Sequence, residues 1–231
     1  MAALERKRKH WSYAATIGEN TSRHENNTAA RGNALLQACI SVLDGPHGSD
    51  PAALIVGLSA LAGHVARRDV KKGVSSGCLV DDFFTPANLY FGQITLSDQV
   101  TRLICDLTTT SFASIITNRL VAAGANWLPC IERDMAHSLM SLNGRDFPNY
   151  TVPPSLVPSF PVQRLLALFW TSAGGLLTCD HVRPVDNVTI VAHAVVEAAM
   201  MSGSSVPLDQ AGQLALETAI AMSKVDVEVH V

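Results

Sequence analysis

Residues 50–73 read DPAALIVGLSALAGHVARRDVKKG, and this stretch decides the fold class. Asp50 offers a side-chain oxygen to the open N–H groups of a first helical turn, and Pro51 suits that turn because it has no N–H to leave unpaired. Leu54, Leu58, Leu61 and Val65 follow at three- and four-residue steps, a stripe along one side of a helix. Arg67, Arg68, Lys71 and Lys72 then set cations at the negative end of the helix dipole, and Gly73 stops the run. Helix geometry thus accounts for a basic cluster that otherwise resembles a nucleic-acid patch.

Working outward, the same signals recur on both sides. A helix over about 28–43 is expected to end at Asp44-Gly45-Pro46. Residues 74–96 contain Pro86 and read as a loop, with a short helical turn near 81–84. Ser97-Asp98 opens a long helix over about 98–123 that ends at Gly124. The next, over about 127–142, carries Leu128, Ile131, Met135, Leu139 and Leu142 as one stripe, with His137 on the opposite, solvent side. Pro148, Pro153, Pro154 and Pro158 exclude regular structure from 145–160, which reads as a linker or an arm laid over a surface. Helices follow at about 161–178, 187–202 and 207–223. The expected fold is all-α, a single-domain helical bundle of about six main helices within residues 27–224.

Two terminal segments break this pattern. Residues 1–26 hold Arg6, Lys7, Arg8 and Lys9 and little apolar surface to bury, so a basic, polar arm is expected. At the other end Val225, Val227, Val229 and Val231 alternate with Asp226, Glu228 and His230, the period of a strand. A lone strand is not stable, so this tail is expected to pair with an extended segment of its own chain or with another subunit.

Charged residues make up 16% of the 231-residue chain, against about 25% in typical soluble domains, and hydrophobic residues 48%. With so few charges, part of the surface is expected to be covered by partners. The apolar runs 54–66 and 165–179 fall short of the ~20 residues a bilayer needs, so no membrane span is expected. The basic N-terminus runs into Trp11-Ser12-Tyr13 instead of an apolar stretch with a cleavage site, which predicts an intracellular protein, cytoplasmic or within an assembled particle. Five cysteines, Cys39, Cys78, Cys105, Cys130 and Cys179, are spread without a CxxC and read as reduced core residues. The charge is uneven: residues 1–72 carry a net +4 and residues 73–231 a net −7, within a total of −3.

Chemistry-bearing motifs are few. Asp134 and His137 approximate half of a Glu-x-x-His di-metal motif, without the rest of it. His193 and Glu197 lie four apart on an otherwise apolar helix and mark a candidate pocket, or alternatively a structural pair. Cys179-Asp180-His181 holds thiol, carboxylate and imidazole, yet sequence neighbours do not face one another as a triad must. Asp106 and Glu217 are carboxylates within mainly apolar helices. No phosphate-cradling loop, nucleophile elbow, zinc-protease helix or dinucleotide fingerprint occurs in the sequence. No catalytic residue, metal or cofactor is assigned, and an enzyme is not the expectation.

The leading expectation is a structural or assembly protein that associates with copies of itself as in a coat, filament or scaffold. Val225, Val227, Val229 and Val231 would make subunit contacts, and Arg6–Lys9 would touch a partner or nucleic acid through Coulomb attraction to phosphate. The alternatives are a helical-bundle enzyme or small-ligand binder near His193 and Glu197, and a helical adaptor for another protein.

Overall fold

The computed structural model describes residues 27–44, 50–77, 79, 85–89, 92–108, 110–142, 147–178 and 183–225. The all-helical expectation holds. Among the described residues there are eight α-helices: α1 over 27–43, α2 Pro51–Ser75, α3 Asp98–Cys105, α4 Phe112–Ala122, α5 Ile131–Ser141, α6 Val162–Ala173, α7 Pro184–Met201 and α8 Leu208–Lys224.

The start of α2 forms as its sequence dictates: the Asp50 carboxylate accepts from the Ala52 N–H at 2.9 Å and Pro51 occupies the first turn. Its burial, however, is not confined to a stripe. Ala52 to Gly63 are buried all round, because α6, α7 and α8 pack against different sides of this helix. At Gly63 the α8 backbone comes so close that an added Cβ would lie 2.5 Å from the Ala219 carbonyl oxygen. α8 is enclosed as completely, buried from Ala211 to Lys224. The core therefore consists of two sheathed helices, α2 and α8, with the others around them.

Four expectations need correction. The helix expected over 98–123 is two helices. Asp106 ends α3 by turning its side chain onto the Thr108 N–H, and the Ser111 hydroxyl accepts from the Ser114 N–H to start α4. Hydroxyl and β-branched residues between them favour such local bonds over helix continuation. The helix expected from 127 begins at Ile131, since Trp127 is drawn aside onto α8 and Pro129 follows. Residues 85–89 and 92–96, expected as loop, pair as a two-stranded antiparallel hairpin with Thr85 opposite Leu96. Pro86 is compatible with it because a two-stranded sheet consists of edges.

The fourth correction concerns α5. Its fully buried helical positions are Asp134, Ser138 and Ser141, while Ile131, Met135 and Leu139 are half-buried and Leu128 is 80% exposed. The inward face is turned by roughly 90° from the apolar stripe at 100° per residue. His137 does not point to bare solvent either: its Nε2 lies 2.8 Å from the Asn149 carbonyl oxygen.

The proline-rich crossing is irregular, as expected, apart from a 3₁₀ turn at Pro154–Leu156. It lies on its own chain, with Val152 buried and Phe147, Tyr150 and Leu156 packed against the core. The basic arm 1–26, the turn expected at 81–84 and the tail 226–231 lie outside the described residues. Val225, directly after α8, is extended and buried. No helix among the described residues is long and apolar enough to cross a membrane.

Candidate functional site

Two places in the fold bring chemistry-bearing side chains together. The first is a cleft of about 540 Å³ between the C-terminal half of α2, α3 and the start of α7. Val70, Leu79, Leu103, Pro184 and Val185 form apolar walls. Gln99, Arg102 and Leu103 come from α3, and Asp106 from the cap directly after it, at three- and four-residue steps, so a single helix edge contributes to the cleft. Val100 and Ile104, on the other side of α3, are buried in the core and hold that edge outward. The Asp106 carboxylate accepts from the Thr108 N–H at 2.8 Å and from its hydroxyl at 2.7 Å.

The cleft's other walls are anchored by polar bonds. Arg68 donates to Asp69 and to the Leu177 carbonyl oxygen, and its guanidinium stacks 4.8 Å from the centre of the Trp170 ring. Asn187 of α7 donates to Asp69 at 2.7 Å and to Leu177 at 3.0 Å. Part of the basic cluster at the end of α2 is thus turned inward as an anchor for α7, with Arg67 buried as well.

The second place is a buried polar seam where α5 and the crossings 125–130 and 147–152 lie on α8. Asp134 and Glu217 are each 1% exposed. Gln213 joins them, its amide N–H₂ donating to Asp134 at 3.1 Å and to Glu217 at 2.8 Å. Its orientation follows from Trp127, whose indole N–H needs an acceptor and finds the Gln213 Oε1 at 3.0 Å. The indole can lie there because α8 has Gly212 beneath it; an added Cβ would come within 2.5 Å of the ring.

Glu217 also accepts from Thr151 at both its N–H and its hydroxyl, 3.0 and 2.5 Å. Asp134 accepts from the neighbouring Arg133 through two nitrogens, at 3.0 and 2.9 Å. That bond and the Asp134 charge hold the Arg133 guanidinium above its usual pKa. Burial pushes the Cys105 thiol up to about 12, the Asp134 charge adding to the rise and Lys224 opposing it. Burial raises the Tyr150 phenol too. Around the carboxylates, then, the titratable neighbours Cys105 and Tyr150 stay neutral and protonated, and Gln213 supplies uncharged donors. Such a seam fixes segments in place; it presents no activated nucleophile. No cluster of three or more His, Cys, Asp or Glu side chains able to hold a metal occurs among the described residues.

Comparison with protein-family models, with curated proteins and with solved structures finds no match.

The residues singled out from sequence fall at several separate places in the fold. Glu197 pairs with Arg119 of α4 at 3.2 Å. His193 lies under α1, where Gly32 passes so closely that an added Cβ would be 2.9 Å from the His193 Cβ. Asp134 and Glu217, considered separately from sequence, do meet through Gln213. Cys39 and Cys105 are buried as expected, Cys39 also pushed up to about 12 by burial, but Cys130 is exposed. Arg6, Lys7, Arg8, Lys9, Val227, Val229 and Val231 lie outside the described residues, as do Cys179, Asp180 and His181. Sequence reasoning missed Arg102 and Leu103 because both were absorbed into a single long helix; the Asp106-Leu107-Thr108 break was the signal that would have exposed them.

Proposed function

We propose that this protein binds a small, largely apolar molecule in the cleft between α2, α3 and α7. The observation that carries this reading is the cleft itself: about 540 Å³, with apolar walls and a few polar groups from one helix edge. Clefts of roughly 300–1,000 Å³ with that composition are the usual form of a small-ligand site. Leu103→Trp tests it by filling the cleft from the helix that forms its edge. Wild type should bind members of a panel of small apolar probes in a thermal-shift assay, and the variant, folded by circular dichroism, should lose them. Equal binding by both proteins, or none by wild type, defeats the reading.

Self-association is a second reading, favoured by Leu128 and Met140, which are 80% and 76% exposed on or just before α5. In it the Arg6–Lys9 arm adds salt-sensitive contacts to a neighbour or to nucleic acid. Light scattering on a size-exclusion column should then show an oligomer that Leu128→Lys with Met140→Lys dissociates. A wild-type monomer at high concentration removes this reading.

A further inference from the structure

Arg102 distinguishes the cleft from a merely greasy surface. It sits in the last turn of α3 and lines the cleft beside Leu103. Its side chain is exposed where it lines the cleft, and its guanidinium offers five donors that no described residue engages. Asp106, one turn further along the same edge, is the nearest acidic candidate in the cleft wall. One oxygen of its carboxylate is already engaged, since Oδ1 accepts twice from Thr108. Among the described residues the cleft therefore offers a cation without a protein partner and a carboxylate with one oxygen bonded to Thr108, with apolar walls between them and the core.

We infer that the ligand is an amphipathic carboxylate, its head group paired with Arg102 and its apolar body lying along Val70, Leu103 and Val185. The planar guanidinium matches a carboxylate with two parallel N–H···O bonds, a geometry that a point cation does not provide. The competing possibility, an ammonium head directed to Asp106, would meet a carboxylate with one oxygen already taken by both Thr108 donors, whereas no described residue takes a donor of the Arg102 guanidinium. This inference rests on the cleft being a binding site and adds the chemistry of what enters it.

Octanoate, 1-octanol and octylamine, matched in chain length, separate the two claims by calorimetric titration of the full chain. Octanoate should bind about tenfold more tightly than octanol, the equivalent of one well-placed charge-assisted contact, and octylamine should be weakest. Arg102→Gln should abolish the octanoate preference while leaving octanol binding unchanged. Asp106→Asn, which keeps an acceptor for Thr108, should tighten octanoate by about threefold through loss of like-charge repulsion. Equal binding of octanoate and octanol, a preference for octylamine, or an octanoate preference that survives Arg102→Gln overturns the carboxylate assignment and leaves the cleft reading standing. Failure of all three probes overturns both.

Discussion

Helices α2 and α5 both pack on α8, and they do so by opposite means. α2 meets α8 with Ala, Leu, Ile, Val and Gly, so contact there is made of surface removed from water and close backbone approach. α5 buries Asp134, Ser138 and Ser141, of which Asp134 bonds across to α8, and leaves Met140 largely in solvent. The difference lies in α8. Where it meets α2 at Gly63 it presents the bare backbone of Ala219, Met222 and Ser223; where it meets α5 it presents the Gln213 side chain, with Glu217 beside it bonded to Gln213 and to the crossing at Thr151. A polar residue on one helix can be buried when the facing helix supplies the matching donor or acceptor, and apolar residues of the first helix then turn aside.

The largest expected effect is on the apolar side of this comparison. Phe169 of α6 is fully buried, with its ring lying on α2 at Gly57. Phe169→Ala should cost about 4 kcal/mol in urea unfolding, from lost burial and the cavity left behind. Glu217→Ala is the polar counterpart, leaving the Thr151 N–H, the Thr151 hydroxyl and one Gln213 N–H without their acceptor. About 3 kcal/mol should be lost. The two should also differ in kind: protection of the Thr151 amide from hydrogen exchange should fall in Glu217→Ala and persist in Phe169→Ala under folded conditions. A loss below about 1 kcal/mol in Glu217→Ala means that the seam contributes little to holding the crossing.

The same contrast explains what the sequence made legible. The Asp50 cap and the apolar stripe located α2, and the helices expected at about 161–178, 187–202 and 207–223 overlap α6, α7 and α8, because such signals act within a few positions of one another. Burial of α2 on all sides was less legible: the low charge content suggested surface covered by partners. Two helices enclosed by their own chain supply an internal reason for that composition. The face of α5 was misread because the pairing of Asp134 with Gln213 spans 79 positions. No local pattern records such a pair. The cleft was hidden for a similar reason, its polar edge belonging to a helix whose end is set by the Asp106–Thr108 bond.

Smaller substitutions sharpen the comparison within the seam. Trp127→Phe keeps an aromatic ring over Gly212 and removes the N–H that satisfies Gln213. It should cost about 1.5 kcal/mol, and Gln213→Leu in that background should cost less than in wild type, since the amide orientation has already lost its anchor. Additive losses would show that the indole and the amide act independently.

Ser138 supplies the smallest effect and the most discriminating sign. It shares the buried face of α5 with Asp134 and is 2% exposed, but its hydroxyl forms no hydrogen bond. Glu217 is a buried polar group whose partners are in place; Ser138 is one whose desolvation is uncompensated. Ser138→Ala removes that group and installs the better helix former, so unfolding free energy should rise by about 0.5 kcal/mol. The backbone carbonyl of Ser138, which accepts from the Ser141 hydroxyl, is untouched by the change. If polarity by itself held α5 against α8, this variant would destabilise along with Glu217→Ala. A stabilised Ser138→Ala beside a destabilised Glu217→Ala would show that the satisfied pairing holds the seam, whereas a loss above about 1 kcal/mol would place Ser138 among the groups that hold it.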